Sequence, residues 1–132
     1  MILVDTSVLI DFLRGIANDS VSAFAEILDK RLPYGINEFI YQKVLQGAAT
    51  AAVFDKLKEY FETIPIYHLM EGKRSSEKAA MLNFSCRRSG IPIRSTIDFL
   101  IAETAIENDL LLLHNDKDFA NMAKAVPELR IY

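Results

Sequence analysis

The chain has 132 residues, 51% of them apolar and 25% charged, with a formal net charge of −3. That make-up suits one domain, residues 1–132, with a real core. It contains no apolar run near the ~20 residues needed to cross a bilayer and no signal-peptide start, so a cytoplasmic location is expected. A lone cysteine, Cys86, excludes an internal disulfide and a cysteine zinc site, and the acidic balance argues against bulk electrostatic capture of nucleic acid.

Taken in order, Met1-Ile2-Leu3-Val4 reads as a buried strand that delivers Asp5 to its carboxyl end, where open parallel α/β sheets bind ligands. There Asp5, with Ser7 as a further oxygen donor, suits a hard cation such as Mg²⁺; a helix cap is the competing reading. Residues 8–13 continue as a short helix ended by Gly15. Asn18 or Asp19 opens a second helix, with Val21, Phe24, Ala25 and Leu28 at helical spacing. Gly35 and Ile36 form a small strand. Asn37 caps a helix over 38–46 with Ile40, Val44 and Gly47 on one face and Lys43 beside that face. A helical stretch over 48–62 turns Ala52, Leu57 and Phe61 inward, and 63–67 is a short strand whose Pro65 marks an end or an edge.

Residues 71–89 make a helix, amphipathic through Ala79, Ala80, Leu82 and Phe84 and closed by Gly90. A strong helix over 96–108 and a strand over 110–113 follow. The last helix starts near Asp118, and 129–131 is a final strand. Short apolar strands alternate with helices and no hairpin signal occurs, which predicts an α/β fold with a parallel or mostly parallel sheet covered on both faces.

Three acids stand out. Asp5 and Asp116 both follow apolar strands. Asp98 lies in the first turn of its helix, in line with Ile101, Ala102 and Ala105. Each has an ordinary explanation: a cap for Asp5, a cap shared with Asp118 for Asp116, and a capping box with Ser95 for Asp98. Together they would converge where the βα loops meet, and clustered carboxylates are tolerated when a divalent cation neutralises them. Metal-assisted hydrolysis of a phosphodiester needs such a cluster. No His or Cys pair competes as a nucleophile.

Four segments, Leu3-Val4-Asp5-Thr6-Ser7-Val8-Leu9-Ile10-Asp11, Ile40-Tyr41-Gln42-Lys43-Val44-Leu45-Gln46-Gly47-Ala48, Ile93-Arg94-Ser95-Thr96-Ile97-Asp98-Phe99-Leu100-Ile101-Ala102 and His114-Asn115-Asp116-Lys117-Asp118-Phe119, resemble PIN-domain proteins of the VapC toxin type. The resemblance spans the chain. It implies a three-layer α/β/α fold, an endoribonuclease dependent on Mg²⁺ or Mn²⁺, a homodimer, and a small VapB antitoxin that occupies the active site. It carries over Asp5, Asp98 and Asp116 as catalytic, metal-holding acids, with Ser7 and Asp118 as supports.

One position departs from the pattern. Where VapC-like proteins usually place a glutamate, this chain has Lys43, and Glu38 lies on the far side of that helix. Four acids would give the empty site a formal charge of about −4, whereas three acids and an ammonium give about −2, so metal binding weakens. The expectation is an impaired site with Lys43 directed at Asp5 or Asp98. The alternatives are that Lys43 reaches into solvent while three acids hold one ion, and that the chain is a catalytically inactive binding module acting through dimerisation and its antitoxin. Arg94, nearest in sequence to Asp98 among the arginines, is the candidate RNA-phosphate contact. His114 reads as a packed strand-end residue, and Val8, Leu9 and Phe12 as a stripe for a partner helix. A haloacid-dehalogenase-like phosphotransferase would need a second acid where Ser7 stands.

Overall fold

The computed structural model describes residues 1–132. In chain order its elements are β1 (Ile2–Val4), α1 (Thr6–Leu13), α2 (Asp19–Asp29), β2 (Tyr34–Asn37), α3 (Glu38–Gln46), α4 (Ala51–Phe61), β3 (Ile66–Tyr67), α5 (Lys73–Arg88), α6 (Thr96–Glu107), β4 (Leu111–Leu113) and α7 (Lys117–Ala125). The four strands form one parallel sheet in the order β3-β2-β1-β4. Leu3 sits between Gly35 and Leu112, and Val4 pairs with Leu113.

Right-handed crossovers place α1 to α4 on one face and α5 to α7 on the other. Packing agrees: α1 lies on α2 and α3, and α5 on α6 and α7. All three residues of β1 are buried, as a strand covered on both faces requires. The sheet runs outward from β1 in both directions, so the gap between the carboxyl ends of β1 and β4 is the topological switch point, where ligands bind in this class of sheet. Phe24 anchors one core layer edge-on to Phe12 and Tyr34, at centroid distances of 5.0 and 5.3 Å. Cys86 is buried, and burial pushes its thiol up.

The departures from expectation have local causes. The first helix starts at Thr6 rather than at residue 8 because Asp5 itself caps it. In α2 the buried positions are Phe24 and Ile27, while Ala25 is exposed. The inward face of α5 runs through Ser75, Ala79, Leu82 and Cys86, and Ala80 and Phe84 face solvent. The fourth helix begins at Ala51, capped by Thr50, and buries only Phe61. The expected final strand reduces to a single bridge between Leu112 and Ile131, at the open edge beside β4. No helix is long and apolar enough to cross a membrane.

Candidate active site

Asp5 leaves β1 and immediately caps α1. Its Oδ2 accepts from the Ser7 backbone N–H at 3.0 Å and the Ser7 hydroxyl at 2.6 Å, and its own N–H donates to the Leu113 carbonyl at 2.9 Å. Only 5% of it is exposed. The Ser7 Oγ also accepts from the Asn115 N–H at 3.0 Å, which ties the end of β1 to the loop after β4. That loop has further anchors. Asn115 donates to Asp11 at 3.2 Å, Asn18 donates to the same Asp11 oxygen at 3.0 Å, and the Ser20 hydroxyl holds the His114 carbonyl at 2.8 Å.

Asp116 caps α7 by accepting from the Asp118 N–H at 2.9 Å. Its own N–H donates to His114 Nδ1 at 3.1 Å, which requires a neutral ring with its proton on Nε2. Burial holds His114 below the usual imidazole range despite the nearby Asp5 and Asp116, and its ring packs against Phe119 at 5.5 Å. His114 is thus a packed strand-end residue, as its sequence setting suggests.

Asp98 enters from α6. Ser95 occupies the cap position but makes no side-chain hydrogen bond, so the capping-box explanation of this acid does not hold. Asp98 is buried and pushed up to about 6, first by burial and then by the charges of Asp5 and Asp116, with Asp118 adding to them and Lys43 opposing. No hydrogen bond is among these influences. The Asn37 amide fixes α6 against the start of α3 by donating to the Thr104 hydroxyl at 3.2 Å, while its Oδ1 accepts from the Ile40 N–H at 2.8 Å.

One carboxylate oxygen each from Asp98, Asp116 and Asp118 lie within 4.8 Å of one another. Asp5 stands beside this trio, close enough to be the largest charge influence on Asp98, while its Oδ2 is engaged by Ser7. The expected acids Asp5, Asp98 and Asp116 thus lie at one place, and Asp118 joins Asp98 and Asp116 in the tight group. In the sequence Asp118 stands only as a support, because an acid in a first helical turn is common for dipole reasons alone. The donor set is entirely hard carboxylate oxygen, and the mutual repulsion that raises Asp98 is what a divalent cation would relieve, so these residues fit such an ion.

Lys43 does not pair with Asp5 or Asp98. The molecule's ion pairs join Lys30 to Glu26, His68 to Glu38, Lys78 to Glu71 and Arg130 to Asp109. Ile40 and Val44 take the inward face of α3, so Lys43 is exposed beside that face, with its charge still felt at Asp98. Glu38 is turned away onto His68 at 2.9 Å, as the helical angle predicts. Arg94 is exposed in the loop before α6. The proposed partner stripe is also corrected: Val8 and Leu9 are core residues, and Phe12 packs on Phe24. The outer face of α1 instead borders an apolar groove of about 320 Å³, lined by Ile10, Leu13, Val44, Val53 and Leu57.

A family model described as the PIN domain matches residues 2–125. Among curated proteins the chain is 26% identical to Ribonuclease VapC11 of Mycobacterium tuberculosis and to VapC ribonuclease Mb1587 of Mycobacterium bovis, over 94% of this chain and 92% of each relative. Among solved structures it resembles VapBC2 from Rickettsia felis bound to a promoter DNA fragment, with TM-score 0.73 and 19% identity, covering 100% of this chain and 98% of that one. It also resembles VapBC-1 from nontypeable Haemophilus influenzae, with TM-score 0.73 and 18% identity, covering 100% and 97%. The sheet order, the acids gathered at its switch point and these matches lead to one assignment: the chain belongs to the PIN-domain family.

Proposed function

We propose that this chain is a VapC-type endoribonuclease that hydrolyses RNA phosphodiesters with Mg²⁺ or Mn²⁺ and is neutralised by a VapB-type antitoxin. The observation that carries the reading is the convergence of Asp98, Asp116 and Asp118 within 4.8 Å at the switch point, beside Asp5. The names of the curated relatives support RNA as substrate, and the titles of the similar structures support an antitoxin partner.

Asp98, Asp116 and Asp118 would hold the ion, which when bound polarises the phosphate and activates water. Asp5, fixed by Ser7, stands beside Asp98 at the edge of this group. Asp116 and Asp118 stay in register because one caps the helix that carries the other. Arg94 offers a phosphate contact at the mouth. The apolar groove between α1, α3 and α4 would receive the apolar face of an antitoxin helix, and the active unit would be a homodimer.

Lys43 favours a second reading, an impaired enzyme or a binding module, because its charge opposes the negative field on Asp98. Cleavage of a structured RNA in Mg²⁺ and in EDTA separates the two. The expected result is weak, EDTA-sensitive cleavage, abolished by Asp98→Asn and raised at least ten-fold by Lys43→Glu together with metal affinity. Equal rates for the Lys43 protein and Lys43→Glu would overturn the impairment. No cleavage by either, with antitoxin binding retained, would establish the binding module.

A further inference from the structure

Helix α1 carries two polar residues one turn apart on the same side, Ser7 and Asp11, and both reach the loop between β4 and α7. The Ser7 Oγ accepts from the backbone N–H of Asn115 at 3.0 Å, and the Asp11 Oδ2 accepts from its side-chain amide at 3.2 Å. One residue is thus gripped at two points, which fixes its orientation as well as its distance. That residue immediately precedes Asp116, the cap of α7.

A second helix braces the grip. Asn18 caps α2 through its Oδ1, which accepts from the Val21 N–H at 2.8 Å, and its amide nitrogen donates to the same Asp11 oxygen at 3.0 Å. Ser20, two residues on, holds the His114 carbonyl at 2.8 Å. The half-buried Asp11 belongs to none of the molecule's ion pairs, so two neutral amides answer its charge. The helix itself does not favour an acid there, because Asp11 stands in the last turn of α1, at the negative end of its dipole. The contact with Asn115 and Asn18 accounts for it.

We propose that Asp11 is a positioning residue of the metal site, a role that rests on the assignment of Asp98, Asp116 and Asp118 to a divalent cation. By holding Asn115 it sets where the loop delivers Asp116 and, through the cap of α7, Asp118. Asp98 comes from a different helix, so the spacing of the three oxygens within 4.8 Å depends on where that loop is held. Asp11 is not itself one of the grouped acids, and its Oδ2 is taken up by the two amides.

The test is Mn²⁺ binding to the whole chain, followed by the electron-spin signal of the free ion. Groups that orient ligating side chains are worth about 10–100-fold in metal affinity, so Asp11→Ala should weaken binding at least ten-fold. Asp11→Asn should recover most of the loss, because both bonds converge on one oxygen and an amide oxygen can take its place. Asn115→Ala cuts the grip from the exposed loop side, leaves α1 joined to α2, and gives the same measurement if Asp11→Ala does not fold. It should weaken binding likewise and, added to Asp11→Ala, change little further. Parental affinity in Asp11→Ala and Asn115→Ala overturns the positioning role and leaves the metal site standing. So does an Asp11→Asn protein as weak as Asp11→Ala, which would show that the charge alone acts. Mn²⁺ binding that is absent from the parent, or that survives Asp98→Asn, overturns the metal site and this role with it.

Discussion

Burial and the charges of Asp5 and Asp116 push Asp98 up to about 6, so without a cation the folded protein holds this proton more tightly than the unfolded chain does. Stability from this group is therefore full in acid, falls as the pH rises from about 4 to about 6, and stays low above that. Asp98→Asn removes the penalty. In EDTA at pH 7 it should gain on the order of 2 kcal/mol in urea unfolding, the gain vanishing near pH 4, while losing Mg²⁺ binding. An unchanged or lower stability at pH 7 would show that the site carries no such repulsion. Asp5, Asp98 and Asp116 were legible in the sequence because each adjoins an apolar run that fixes its place at a strand end or helix start. Asp11 and Asn115 were not, since their bond joins residues 104 apart and neither lies in an unusual local setting.

Among the elements, a hydrogen-bonded cap made the start legible where the capping residue is asparagine, whereas Asp5 and Thr50 cap helices whose starts were expected at residues 8 and 48. Asn37 is legible as a helix start, and Asn18 as one of two candidates with Asp19; both asparagines accept the N–H three residues on. Asn37 also bridges to Thr104, so Asn37→Ala should cost about 1–3 kcal/mol, seen as a lower urea midpoint with an unchanged m-value. Strand β2 passes so close to β3 that a Cβ on Gly35 would lie 2.5 Å from a Tyr67 ring carbon and 2.7 Å from the Pro65 carbonyl oxygen. The ring can turn, but the carbonyl accepts from Ile36 and cannot retreat cheaply. Gly35→Ala should therefore destabilise by about 1–3 kcal/mol, and a thermal midpoint equal to the parent's would contradict this packing. The inward face of α5 was legible at Ala79 and Leu82 but not beyond them, because Ser75 carries part of the buried face and Phe84 is left outside, the reverse of their polarity. Phe84 instead lies under the guanidinium groups of Arg87 and Arg88, at 5.9 and 5.7 Å.

At the scale of the molecule, the exposed apolar residues Leu13 and Val53 border the groove assigned to the antitoxin. Val53→Asp should leave stability within about 0.5 kcal/mol of the parent and weaken antitoxin binding at least ten-fold by titration calorimetry, about 1.4 kcal/mol. Unchanged affinity would move the partner elsewhere. The parallel fold was legible from the alternation of apolar strands with helices, whereas strand order was not, because pairing partners lie far apart in sequence. That separation has a consequence for biosynthesis. Strand β1 is completed by β4, whose residues follow it by more than a hundred positions, and the candidate site takes Asp5 from one end and Asp116 and Asp118 from the other. A nascent chain that has emerged only through α6 holds Asp5 and Asp98 but lacks the edge strand and half of the acids. Long-range parallel pairing is also slow to form. The candidate site is therefore among the last features of this fold to be completed, because it needs both β1 and the β4–α7 segment in place.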